Sequence, residues 1–326
     1  MTTSFPRHGG QLAQACARFG GAPEDWLDLS TGINPNGWTP PADLTVEWQR
    51  LPEPDALAAL EAAAARHFGC DEAICVAVPG SEMALRLLAQ LIGLRGLHRA
   101  PCYGTYRAAF SRSENLTQLA TLPARSTALV VGNPNNPDGT VQSRTSLLAM
   151  LDHQERHGSW LIVDEAFADC DPTLSVADAV QEGRRLIVLR SLGKFFGLAG
   201  LRLGFVIAPP KILDALRMLL GDWPLHSAAL ALGRAAYANH AWIARTRNAL
   251  PLVSARLDKV LLKHGLAPEG QCPLFRLLDT PSAPALFERL AAQRILTRPF
   301  SDWPHLLRIG LPADQTALGR LDKALG

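Results

Sequence analysis

The chain has 326 residues, room for two domains of about 150 residues each. Its 48% apolar and 19% charged content is that of a globular protein whose core needs no disulfide or metal staple. Thirty-two basic and 30 acidic residues leave a net charge of +2, no electrostatic footprint for nucleic acid; no apolar run approaches a membrane span of about 18 residues, and the opening MTTSFPRHGG is no secretory signal, so a cytoplasmic protein is expected.

The first 45 residues are turn-rich, with Gly9-Gly10, Gly20-Gly21 and a crowd of Gly, Asn and Pro from Thr31 to Pro41. Residues 56–68 read as an alanine-rich helix. From there to about residue 220, apolar strands alternate with helical patterns, as in a doubly wound α/β sheet. Runs 128–131, 160–163, 186–189 and 202–207 suit parallel strands buried on both faces, while 144–157 and 174–182 carry helical spacing. After Trp223-Pro224 an alanine-rich helical stretch runs to about 262, followed by weaker strands near 274–278 and 306–309. We therefore expect a large α/β domain over 46–222, with a mostly parallel sheet, and a smaller α+β domain from 1–45 and 223–326. Trp223, Trp242 and Trp303 read as packing residues. The six scattered cysteines show no CxxC pair and read as free thiols, with no metal site.

In open α/β sheets ligands bind beyond the carboxyl ends of the strands. Three successive runs end there in polar residues or glycines: 132–139 as GNPNNPDG, 164–167 as DEAF, and 190–194 as RSLGK. Singly these are a turn, a cap and a solvated charge. Together an amide, a carboxylate and a lysine are what a pyridoxal phosphate site needs: an amine for a Schiff base, a carboxylate for the pyridinium nitrogen, an amide for the ring hydroxyl. Ser191 and Arg202 flank Lys194 and can meet a phosphate. Gly80-Ser81 opens a helix with apolar Ala84, Leu87, Leu88 and Leu91, and its N-terminus is a phosphate cup. Nucleotide motifs fail: no two glycines stand two apart, so GxGxxG cannot occur, and GxxxxGK[ST] is missing.

The motifs PGSE, PCYGTY, GNPNNPDG, VDEAF and RSLGKFFGLAGLRLG resemble those of the aspartate-aminotransferase-fold pyridoxal phosphate enzymes, over nearly the whole chain. The resemblance implies that Lys194 binds the cofactor covalently, Asp164 pairs with its pyridinium, Asn136 bonds its ring oxygen and Tyr103 stacks on the ring, Tyr106 being the other candidate. Ser191, Arg202 and the Gly80-Ser81-Glu82 backbone would hold the cofactor phosphate. Arg308 of LLRIG matches an arginine that binds a substrate carboxylate. A homodimer is also implied.

Two branches of that fold stand near: histidinol-phosphate aminotransferases and the threonine-phosphate decarboxylases of cobalamin synthesis. Four features resemble the decarboxylases: Arg7-His8-Gly9-Gly10 at the start, LDLSTGINPNG at 27–37, Phe167 in DEAF where aminotransferases carry tyrosine, and Arg298 in LTRPF. The expected activity is decarboxylation of a phosphorylated amino acid, with His8, Gly9, Gly32, Asn136, Arg298 and Arg308 at the substrate and Lys194 returning a proton to Cα. An aminotransferase acting on histidinol phosphate is the alternative, and a non-catalytic binding protein on the same fold is the third reading. Against the family pattern, Gly193 replaces a Ser or Thr, Gly32 an asparagine, and Leu51 a tyrosine that reaches the neighbouring subunit.

Overall fold

Apolar runs buried along their whole length form the middle of a seven-stranded sheet. In the computed structural model, which describes residues 8–326, the strands lie in the order Cys75–Val78, Gly204–Ile207, Leu186–Ser191, Trp160–Asp164, Ala128–Gly132, Gly96–His98, Ser113–Asn115. The last five run parallel to one another. Gly204–Ile207 runs antiparallel to both neighbours. This corrects the expectation of a parallel strand over 202–207: the strand starts only at Gly204, because Arg202 adopts a left-handed backbone at φ 53° and turns the chain back. The sheet belongs to a unit of Gly37–Asn136 and Val141–Arg247.

Its helices start and stop on local signals. Pro54–Phe68 begins with proline in its first turn and ends at Gly69, φ 70°. Arg144–Arg156 is capped by Ser143, whose hydroxyl accepts the Ser146 amide at 3.1 Å. The helix expected over 174–182 does not form; only the short turns Pro172–Leu174 and Ala177–Ala179 appear. Side chains have taken the backbone groups a helix would use. Glu165 accepts the Val176 amide at 2.7 Å, Arg144 donates to the Ser175 carbonyl at 2.6 Å, and Asn133 donates to that of Leu174 at 3.3 Å.

The second unit comprises the chain up to Asn36, Pro137–Thr140 and Asn248–Gly326. It holds an antiparallel sheet ordered Arg298–Pro299, Leu306–Gly310, Phe275–Asp279, Pro268–Glu269, and a parallel pair, Leu27–Asp28 with Ile295–Leu296. In the unit that holds the large sheet, Trp223, read as a packing residue, is exposed, as are Trp48 and Leu51. Among the described residues no helix is long and apolar enough to cross a membrane.

Candidate active site

The register of the large sheet sets the residues at its polar end. Gly132 lies opposite Asp164, and Ser191 opposite Gly204, which in turn pairs with Val78. The three strand ends read from the sequence therefore stand side by side. Glycine at 132 leaves room for Tyr106: a Cβ would fall 2.8 Å from its hydroxyl oxygen.

Asp164 is buried. Its carboxylate accepts the Tyr106 hydroxyl at 2.9 Å and the Ala166 amide at 3.1 Å. Burial raises its pKa above the ordinary carboxylate value, while those two hydrogen bonds and the charge of Lys194 oppose the rise. The same burial, with Asp164 alongside, pushes the Tyr106 phenol well above its usual range. Tyr106 is thus the fixed donor that orients Asp164, a role the sequence reading missed in treating it only as the second candidate for stacking on the ring. Tyr103 meets it edge-on, ring centroids 5.9 Å apart at 84°. The Lys194 ammonium lies 5.9 Å from the centroid of the Phe167 ring, so DEAF and the lysine turn share one locale.

Of the asparagines after Gly132, two fasten the loop. Asn133 bridges to Gln142, accepting its amide at 2.8 Å and donating to its carbonyl at 3.2 Å, and Asn135 donates to the Pro101 carbonyl at 3.0 Å. Asn136, half-buried, follows them.

A set of groups able to meet an anion lies where Ser81–Ile92 begins. No side chain caps this helix, and Gly80, at φ 91°, sits so close to Arg202 that a Cβ would lie 2.9 Å from its Nη2. At Gly204 a Cβ would fall 2.6 Å from the Ser81 amide nitrogen. Glycine at both positions lets strand, helix start and guanidinium converge. Ser191 accepts the Gly193 amide at 3.3 Å, and a Cβ at Gly193 would come within 3.1 Å of Ala199 Cα, a tight contact. Glu82 turns its carboxylate to Arg86 and Thr105, leaving the first turn's amide role to its backbone. Gly37 packs its Cα against the lysine turn, where a Cβ would lie 2.9 Å from the Phe196 carbonyl oxygen.

Behind Asp164 lies an ionic cluster that the sequence reading did not find. Arg190 donates to Glu165 at 2.8 Å and to Asp169, which also bonds His67 at 2.9 Å. The three charged side chains are at most 2% exposed. Burial alone would raise the Asp169 pKa, but Arg190 and His67 outweigh it and hold the carboxyl well below its ordinary value. Their sequence signal was slight: a charge beside each motif residue, Glu165 after Asp164 and Arg190 before Ser191.

In the second unit, Arg298 and Arg308 face one another across paired strands. Burial lowers the Arg298 pKa to about 10; burial and then the neighbouring Arg298 charge bring Arg308 to about 10 as well. Two guanidiniums drawn from water side by side are suited to meeting an anion. Arg298 lies over Phe300 and Arg308 over Phe275, at 4.8 and 5.2 Å from the ring centroids. Gly32 is buried, and His8 is exposed beside Gly9; Arg7 of that motif lies outside the described residues. Among the described residues, no three His, Cys, Asp or Glu gather in a metal-binding group.

A profile of the aminotransferase class I and II family matches residues 89–320. A threonine-phosphate decarboxylase of Pseudomonas aeruginosa is 40% identical over 325 residues, covering 98% of this chain and 96% of that protein. A histidinol-phosphate aminotransferase of Shewanella oneidensis is 30% identical over 229 residues, 65% of this chain and 58% of that protein. The solved histidinol-phosphate aminotransferase of Sinorhizobium meliloti, in complex with pyridoxal-5′-phosphate, shares the fold with a TM-score of 0.79, at 19% identity over 100% of this chain and 98% of that one.

Proposed function

The chain belongs to the aminotransferase class I and II family and has its α/β fold, and from that premise we propose that it decarboxylates L-threonine O-3-phosphate to (R)-1-aminopropan-2-yl phosphate, for assembly of the cobalamin nucleotide loop. The observation that carries this reading is the near-full-length match, at 40% identity, to a threonine-phosphate decarboxylase, against a shorter and weaker match to an aminotransferase. Pyridoxal 5′-phosphate is the cofactor in this reading.

The residues fit that group. Asp164 is a buried carboxylate raised in pKa by burial, which a cationic ring nitrogen would relieve, and the uncapped helix start at Gly80, with Arg202 against it, suits a phosphate. When bound, the cofactor supplies an electron sink conjugated with the substrate nitrogen, able to take the electron pair of a bond broken at Cα. Lys194 would hold the cofactor through its amine and, once released, deliver a proton to Cα after carbon dioxide has left. Asp164 would accept the ring N–H, and Tyr106 would keep that carboxylate oriented. Tyr103 would cover one ring face, and Asn136 would bond the ring oxygen. The backbone amides of Gly80, Ser81 and Glu82, the Ser191 hydroxyl and the Arg202 guanidinium would hold the cofactor phosphate. Arg298 and Arg308 would take the substrate's carboxylate and phosphate, joined by His8, the Gly9 amide and Gly32. A homodimer completes the reading, supported by the exposed apolar side chains Trp48, Leu51 and Trp223.

The test is product analysis of the cofactor-loaded protein with L-threonine O-3-phosphate and no oxo acid. Carbon dioxide and aminopropanol phosphate are expected, both lost in Lys194→Ala. No carbon dioxide, with amino transfer from histidinol phosphate only when 2-oxoglutarate is added, would assign the chain to the aminotransferase branch instead.

A further inference from the structure

One serine gathers the parts of the substrate half of the site that come from distant stretches of chain. Residues 27–30 run between two strands: the Leu29 amide donates to the Leu296 carbonyl at 2.8 Å, and the Gly310 amide donates to the Leu29 carbonyl at 2.7 Å. Ser30 follows at 2% exposure, and every polar atom of it is engaged. Its amide and its hydroxyl both donate to Asp28 Oδ1, at 2.8 and 2.5 Å. With its proton committed to Asp28, the hydroxyl oxygen accepts the Gly10 amide at 2.7 Å. The Ser30 carbonyl accepts Arg308 Nη2 at 2.8 Å. Gly9 lies flat on this peptide, so closely that a Cβ would fall 2.2 Å from the Ser30 oxygen and 2.8 Å from its carbonyl carbon.

We propose that Ser30, anchored by Asp28, is a positioning residue that sets the His8-Gly9-Gly10 segment and the Arg308 guanidinium in one fixed relation, so that the substrate's anionic groups meet both at once. This rests on the substrate reading above, and it adds two residues which that reading does not contain. The chemistry explains each residue type. Position 28 needs an acceptor that takes two bonds on one oxygen, which a carboxylate does. Position 30 needs a side chain that donates and accepts together, which a hydroxyl does and alanine cannot. Position 9 has room for no side chain. Fixing the segment before substrate arrives removes an ordering cost from binding. The effect therefore belongs to KM and leaves the chemical step alone.

Two measurements on the full-length, cofactor-loaded protein test this. In the first, hydrogen exchange is followed at residues 9–11 and at Leu306–Gly310 in wild type and Ser30→Ala. Exchange at 9–11 should quicken by about tenfold or more, with the strand unchanged. In the second, KM for L-threonine O-3-phosphate should rise by about tenfold in Ser30→Ala with kcat within about twofold, and in a His8→Ala background the same change should add less than about twofold. Asp28→Ala should give the same pattern and serves if Ser30→Ala does not fold. Unchanged exchange at 9–11, equal acceleration in the strand, an unmoved KM, or effects of Ser30→Ala and His8→Ala that simply multiply would each overturn the proposal. If wild type does not turn over L-threonine O-3-phosphate, the decarboxylase reading fails, and the exchange measurement decides the Ser30 link alone.

Discussion

Asp164 is a carboxylate held where its charge is costly, with a tyrosine hydroxyl and one backbone amide as its hydrogen-bond donors. Its folded pKa lies above its unfolded one, so in the cofactor-free protein its cost to stability is fully present above the folded value and is relieved as pH falls through that value toward the unfolded one. Asp164→Asn keeps an acceptor for Tyr106 and loses the charge. Its cofactor-free form should match or exceed wild type in melting temperature at pH 7–8, and the comparison should turn toward wild type as the pH is lowered. Cofactor binding, followed by absorbance, should weaken severely in the same variant. Asp164 and Lys194 were legible because one ends an apolar run that declares itself a strand and the other follows shortly after the next such strand. Tyr106 was not, because a phenol aimed at a carboxylate 58 residues away leaves no local pattern. Arg308 presents a different chemistry: its planar fork bonds the Ser30 carbonyl while lying over Phe275. Arg308→Lys keeps a cation and loses that geometry, so KM for the phosphorylated substrate should rise roughly 10- to 100-fold, measured by initial rates.

At the scale of elements, the strands Trp160–Asp164 and Leu186–Ser191 carry residues of the candidate site at their ends and a buried ionic cluster just beyond or before them. Arg190, Glu165 and Asp169 tie the chain after one strand to the end of the next. Glu165 extends the cluster to Ser175 and Val176, which is what prevents a helix over 174–182. Removing the cation would strand two carboxylates in the interior. Arg190→Met is therefore expected to destabilise the protein by about 3–5 kcal/mol in chemical denaturation at pH 7. A loss below about 1 kcal/mol would mean that the carboxylates find other partners or protons. The helical spacing of 174–182 was real in the sequence. It lost because its amide and carbonyl groups were already claimed by side chains from elsewhere in the chain.

For the whole molecule, the large side chains left outside the core carry the argument. Trp48, Leu51 and Trp223 are 68%, 64% and 55% exposed. A shallow groove lined by Pro52, Pro54, Leu57, Trp223 and Leu225 brings the stretch after Leu51 beside Trp223. Surfaces of this kind mark association. The homodimer proposed above should dissociate to monomer in Trp48→Glu combined with Trp223→Glu, followed by sedimentation velocity, and a double variant that still dimerises at micromolar concentration would place the proposed contact on another face.

What the sequence by itself determined is the succession of apolar strands, the motifs at their ends and the glycines that precede helices. These are written in periodicities of two to four residues and in backbone preferences, which neighbours along the chain can express. The tertiary structure alone decided the rest. The direction of Gly204–Ile207 follows from the left-handed turn at Arg202, and the failure of the helix at 174–182 from bonds to Glu165, Arg144 and Asn133. The pairing of Tyr106 with Asp164 and the gathering of Gly9, Gly10, Asp28 and Arg308 on Ser30 are of the same kind. Apart from the local turn at Arg202 and the Asp28–Ser30 bond, these join groups far apart in the chain, where the free energy of burying a polar group makes it take whichever partner the fold brings within reach.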